Sequence, residues 1–190
     1  GGLAVVAGLS PAALAASPSG VAPTLAEVQI QLCSPFPDIE RSLKLRPDGR
    51  PIEVWLFDDA ALTLFERGVR VRLRVKSERA EFTIKVANQD CAQIDAKLVP
   101  PKAGKCEIDV HGTNMSGTVS LSRKLSRKEW TDLVAGRVAA ADLLGPVQAA
   151  YLRDTAKVWP LPGQLRPLGP KQARAYVMAD KSYEVDVSTL

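Results

Sequence analysis

The run Arg67-Gly-Val-Arg-Val-Arg-Leu-Arg-Val-Lys76 alternates apolar and cationic residues from Val69 onward. A pleated strand sends successive side chains to opposite faces. Val69, Val71, Leu73 and Val75 then share one face, and Arg70, Arg72, Arg74 and Lys76 share the other. A helix would wind both sets around its circumference, so the segment commits the chain to a sheet with one apolar and one cationic face. Cations in a row repel one another, and something must offset them: water, carboxylates on neighbouring strands, or an anionic ligand.

The same alternation recurs along the chain. Glu27-Val-Gln-Ile-Gln-Leu32 separates Val28, Ile30 and Leu32 from Glu27, Gln29 and Gln31. Residues 52–57 (IEVWLF) form a second strand that ends at Asp58-Asp59, and SERA turns the basic strand into 81–86, whose polar face is Glu81, Thr83 and Lys85. Residues 107–111 carry Glu107 and Asp109 on one side, and 118–122 (TVSLS) carry hydroxyls. Residues 173–178 and 183–187 read as a hairpin with Arg174 on one strand and Glu184 with Asp186 on the other.

Helices punctuate the strands. Ser126-x-x-Glu129 is a capping box that opens an amphipathic helix expected to run to Gly145, and Pro146 suits the first turn of a second helix. A short helical turn is expected within 59–66. Residues 159–170 (WPLPGQLRPLGP) hold too many prolines for a central strand and read as an irregular connection. The expected class is α+β, mostly antiparallel, with about eight strands.

At 190 residues, 46% apolar and 24% charged, the chain can bury one sizeable core, and it contains no apolar run long enough to span a bilayer. A balance of 25 basic against 21 acidic residues, +4, suits an anionic ligand but falls short of a nucleic-acid footprint. The opening LAVVAGLSPAALAAS, with its Ala13-Leu-Ala15 pattern, reads as the end of a secretory signal peptide. Residues 1–22 are therefore taken as leader and 23–190 as the folded domain, exported to a periplasm or secreted. Cys91 and Cys106 flank a stretch containing Pro100, Pro101 and Gly104, which suits either a disulfide staple or a reduced buried pair. Cys33 reads as a small core residue, and His111, the only histidine, argues against a zinc site.

The order of these segments resembles the CYTH family, the triphosphate tunnel metalloenzymes. Members open with Glu-x-Glu-x-Lys and continue with a Tyr/Phe-Asp-Thr turn and a Leu-x-x-x-Gly-x-x-Leu-Arg-x-Arg strand. A Thr-x-Lys strand follows, and later acidic pairs. The corresponding residues here are Phe57-Asp58-Asp59, then Leu64 to Arg74 with Gly68, Arg72 and Arg74, then Thr83-Ile-Lys85, then Glu107-Ile-Asp109 and Glu184-Val-Asp186. The opening motif reads Glu27-Val-Gln29-Ile-Gln31, with amides in place of its second carboxylate and its lysine, and Asp59 stands where threonine is usual.

The resemblance implies a mostly antiparallel β-barrel-like tunnel, polar inside, with flanking helices. It implies a triphosphatase acting on triphosphate or polyphosphate compounds with Mg²⁺ or Mn²⁺. Arg72, Arg74, Lys85 and Arg174 would bind the phosphates. Glu27, Glu107, Asp109, Glu184 and Asp186 would hold the metal, and Glu27, Lys85 and Glu107 would serve catalysis. The partner would be a phosphorylated small molecule or polyphosphate, with no nucleic acid and no membrane span. The two amides favour an alternative, a tunnel that binds a phosphorylated or anionic ligand without turnover. A purely structural domain with a solvated polar sheet face is the third reading.

Overall fold

The computed structural model describes residues 3–9, 26–32, 34–111, 113–162, 164–178 and 184–189. The strands are β1 (Leu3–Leu9), β2 (Ala26–Leu32), β3 (Leu45–Asp58), β4 (Val69–Lys76), β5 (Arg79–Gln89), β6 (Gly104–His111), β7 (Asn114–Leu125), β8 (Arg166–Met178) and β9 (Glu184–Thr189). The helices are α1 (Phe36–Ser42), α2 (Thr63–Glu66), α3 (Arg127–Val134) and α4 (Pro146–Asp154). The nine strands close into a barrel in the order β1-β2-β6-β7-β5-β4-β3-β8-β9, with β9 returning to β1. Among the described residues every neighbouring pair is antiparallel except β2 with β6. The α+β barrel expected from the sequence is present, and its basic strand has the expected bounds.

The apolar faces of the strands point outward. Val69, Val71 and Leu73 of β4, Phe82 and Ile84 of β5, and Val119 and Leu121 of β7 are buried in one cluster with Leu133, Leu143, Tyr151 and Leu152 of the helical layer. The main core therefore lies between barrel wall and helices, and the polar faces are left to the lumen. Burying the large side chains of this cluster contributes roughly 1.5–3 kcal/mol apiece. Two polar side chains of α4 bind it to the wall. Gln148, itself buried, donates from Nε2 to the carbonyls of Phe82 (3.0 Å) and Leu121 (2.9 Å). The Tyr151 hydroxyl donates to Gln89 at 2.8 Å, and burial pushes its pKa up to about 12.

Several boundaries differ from the sequence reading. The amphipathic helix ends at Val134, where Gly136 adopts φ +69, and the apolar residues beyond it continue in a single turn of 3₁₀ helix, Ala140–Leu143. The proline-rich connection ends earlier than expected, because β8 already begins at Arg166. Its prolines are tolerated for a local reason. Among the described residues β8 pairs over 166–172 with β3 alone, and β9 joins only from Ala173, so Pro167 and Pro170 sit where no described second ladder needs their missing N–H. A bulge there places Gly169 at φ +127, where a Cβ would fall 2.9 Å from the Val54 carbonyl oxygen, so the position needs glycine. The segment read as leader supplies β1, whose Val5 and Val6 suit a strand, and which fills the place between β2 and β9. Cys33 lies outside the described residues.

Cys91 and Cys106 form a disulfide with Cα atoms 5.8 Å apart, joining the turn after β5 to the middle of β6. Gly117 lies beside it, where a Cβ would collide with the Gln89 carbonyl oxygen, so β7 passes this point only without a side chain. For a loop of this length the bridge contributes about 3 kcal/mol. The double variant Cys91→Ser, Cys106→Ser should lose about that much in denaturant titration. Excess dithiothreitol should produce the same loss in the wild type and none in the variant.

Candidate functional site

Because cross-strand partners share a face, the register defines the inner wall. Across β4 and β5, Arg70 faces Lys85, Arg72 faces Thr83 and Arg74 faces Glu81. From β5 to β7, Thr83 faces Ser122 and Lys85 faces Ser120. From β7 to β6, Ser120 faces Lys105, Thr118 faces Glu107 and Ser116 faces Asp109. The cations of β4 thus border a band of hydroxyls, and beyond that band stand the carboxylates of β6. Within the band Thr83 Oγ1 and Ser122 Oγ lie 2.8 Å apart, one hydroxyl donating to the other, and Glu81 Oε1 stands 3.3 Å from the first and 3.4 Å from the second to accept the remaining proton.

Among the described residues Glu107 is the most deeply placed acid of this wall, at 3% exposure. Its Oε1 accepts from Lys105 Nζ at 2.6 Å, and its Oε2 receives the Ser120 hydroxyl at 3.2 Å and faces Lys85 Nζ at 3.7 Å. Burial alone would raise its pKa. The hydrogen bond from Lys105, the charges of Lys85 and Lys105 and the Ser120 hydroxyl outweigh that and hold the carboxyl below its ordinary value. Asp109 accepts from Thr118 Oγ1 at 2.5 Å through Oδ2. Its Oδ1 is buried and has no partner among the described residues.

The register also sorts the remaining expected residues. Glu27 of β2 pairs with Asp109 of β6. Asp186 of β9 pairs with Val6 and with Ala175, and Glu184 with Val177. The side chains of Glu27, Glu184, Asp186 and His111 lie outside the described residues. Arg174 does not join the cations. Lys171 faces Val54, which itself faces Arg74, so the inner residues of β8 are Lys171, Ala173 and Ala175, and Arg174 is exposed on the opposite face. Lys171 is therefore an inward cation of β8, and Arg166, opposite Asp58, has the same parity. The hairpin pattern gives Arg174 the acidic strand as its neighbour but leaves the parity of β8 undetermined, since its pairing with β3 is hidden in the proline-rich stretch.

Sequence reasoning also misses Lys105, although its signal is readable: it sits two residues before Glu107 and hence on the same face. The Phe57-Asp58-Asp59 motif proves architectural. Asp58, 5% exposed, accepts from the backbone N–H groups of Asp59, Leu64 and Phe65, and Asp59 accepts from those of Ala61 and Thr63 and from the Thr63 hydroxyl. Together they cap α2 and fix the turn that delivers β4. Trp55 stands opposite Leu73 on the outer face and packs against the core.

Among the described residues no group of three or more His, Cys, Asp or Glu is placed to hold a metal ion. Both oxygens of Glu107 are already engaged by the lysines and Ser120. The open Oδ1 of Asp109, with Glu27 at the adjacent register position, is what fits a hard cation.

Taken together, these features define a closed barrel with a charged lumen, a tunnel fold in which clustered cations stand beside clustered acids. No family model matches the chain, and no curated protein matches it. Among solved structures the chain shares its fold with HpAC1 from Hippeastrum, a candidate adenylyl cyclase with a dominant triphosphatase activity. That likeness has a TM-score of 0.50 at 12% identity and covers 99% of this chain and 79% of the other. The resemblance drawn from the motifs thus holds at the level of the fold.

Two outcomes follow from this geometry. Asp58→Ala strands the Leu64 and Phe65 N–H groups of α2 and that of Asp59 in the preceding turn, and should cost about 1–3 kcal/mol, measured by chemical denaturation. For Glu107, whose folded pKa is depressed, the stabilisation is complete above the unfolded value and disappears as pH falls through the folded value. Melting temperature followed from pH 7 downward should therefore decline once the pH drops below about 4.3, the ordinary glutamate value, and Glu107→Gln should flatten that decline while lowering stability at pH 7.

Proposed function

We propose that the chain is an exported, divalent-metal-dependent hydrolase of triphosphate or polyphosphate compounds. The observation that carries this reading is the cationic inner row: Arg72 and Arg74 on β4 and Lys85 on β5, enclosed by a barrel and bordered by hydroxyls and acids. Guanidinium groups fork onto phosphate oxygens, and a low-dielectric lumen strengthens that attraction. The triphosphatase activity of the fold neighbour supports the same direction. The disulfide supports export, and among the described residues no helix is long and apolar enough to cross a membrane.

In this reading Arg72, Arg74, Lys85 and Lys171 bind the phosphate chain. Asp109 and Glu27, with Glu184 and Asp186 as further candidates, would hold Mg²⁺ or Mn²⁺, and the ion would neutralise charge on the phosphate oxygens. Glu107, kept anionic by Lys85 and Lys105, orients the attacking water. Water adds to the terminal phosphorus, the bridging P–O bond breaks, and the shortened phosphate leaves with its charge held by the arginines.

A second reading, a tunnel that captures such an anion without turning it over, is favoured by Gln29 and Gln31 and by Glu107, whose carboxylate is already committed to two lysines. One experiment separates the two. Purified protein is mixed with tripolyphosphate, ATP or thiamine triphosphate and with Mg²⁺ or Mn²⁺, and both phosphate release and melting temperature are followed. Release that falls roughly 100-fold in Arg72→Ala or Arg74→Ala supports the hydrolase. A melting shift without release supports capture. Absence of both defeats the phosphate reading altogether.

A further inference from the structure

The inner wall is not polar all the way around. From β4 the register passes to β3, where Val54 stands opposite Arg74 and Leu56 opposite Arg72. From β3 it passes to β8, where Leu56 faces Leu168. These are lumen positions by the same parity that places the arginines there, yet they are aliphatic and open: Leu56 is 38% exposed and Leu168 43%. Farther along β8 Lys171 faces Val54, and the inner residues beyond it, Ala173 and Ala175, are small and uncharged. At the end of the barrel where α2 links β3 to β4, the Phe65 ring is 53% exposed, and the Arg70 guanidinium lies 5.6 Å from its centroid. The apolar strip therefore runs from Val54 through Leu56 and Leu168 toward the mouth, beside the arginines of β4, with Lys171 opposite Val54 as a cation at its inner end.

A bare polyphosphate gives such a strip nothing to do. Its anionic oxygens are strongly hydrated, and leucine side chains beside them would cost solvation without returning a contact. Leucine side chains left open to water are also an unfavourable way to line a cavity, unless a ligand covers them. Arginine beside leucine on adjacent strands matches a molecule with an anionic head joined directly to an aliphatic body.

We propose that the tunnel takes an amphiphilic phosphate, a diphosphate or triphosphate ester of an aliphatic alcohol. The head lies on Arg72 and Arg74, and the hydrocarbon lies along Val54, Leu56 and Leu168 toward Phe65. This rests on the phosphate reading above and narrows its substrate class. The remaining wall keeps its assigned part: hydroxyls of Thr83, Ser120 and Ser122 border the head, and the β6 acids stand beyond them.

The test compares two ligands with one head and different bodies, octyl diphosphate and methyl diphosphate, by isothermal titration calorimetry below the micelle concentration of the octyl ester. Tripolyphosphate is titrated alongside. The octyl ester should bind at least tenfold more tightly than the methyl ester, and Leu56→Gln should bring the ratio of the two affinities close to one. Leu168→Ser gives a second reading of that ratio should Leu56→Gln fail to fold, and the wild-type ratio stands without either. Arg72→Ala should weaken both esters. If tripolyphosphate binds and the two esters bind equally, the phosphate reading survives and the amphiphile is overturned, as happens if another part of the chain covers the strip. An octyl preference that persists undiminished in Leu56→Gln and Leu168→Ser also overturns it. If none of the three anions binds, the phosphate reading falls first and takes this one with it.

Discussion

The Glu107 carboxylate, shared between two lysine ammonium groups and a serine hydroxyl, is the interaction around which the lumen is organised. Desolvation at this depth opposes the charge of a carboxylate and would raise its pKa if it stood alone. Lys105 and Lys85 keep it ionised, and it in turn offsets part of the repulsion along the cationic side of the wall. Removing Lys85 would leave the buried Glu107 with one counter-cation fewer, so the barrel must hold in place β5 and β6, which do not pair with each other and meet through β7 and the Cys91–Cys106 disulfide.

The barrel reverses the usual economy of a small domain. Its apolar residues lie outside the sheet, where α3, α4 and the 3₁₀ turn cover them, and its polar residues lie within. The helices are therefore structural necessities. Without α4 the outer faces of β5 and β7 would be wet, and the carbonyls of Phe82 and Leu121 would lose the Gln148 amide. The inner wall is then free to carry charge, because the burden of hydrophobic burial has been moved elsewhere.

Much of this was legible in the chain. The period-two pattern of β4 fixed both its bounds and the split between its faces, and the capping box at Ser126 and Glu129 located the start of α3. The pairing of Cys91 with Cys106 was one of two readings their spacing allowed, and the disulfide is what forms. What escaped were features that depend on a neighbour. Arg174 could not be assigned a face until β8 was seen to pair with β3, and that pairing was obscured by prolines tolerated because one side of the strand has no partner there among the described residues. The apolar strip escaped for a related reason: Val54, Leu56 and Leu168 become a surface only when register brings them beside Arg72 and Arg74. The roles of Asp58 and Asp59 were hidden differently, since side chains that cap a turn and side chains that bind a ligand have the same composition.

The placement of the disulfide carries one more consequence. Cys106 immediately precedes Glu107, and its partner sits at the exit of β5, the strand that bears Lys85. The covalent link thus joins the backbones that present an acid and one of its counter-cations. An environment that keeps thiols reduced would remove a crossbar from beneath the charged pair itself, so the redox character of the surroundings sets how firmly the lumen's opposite charges are held in register.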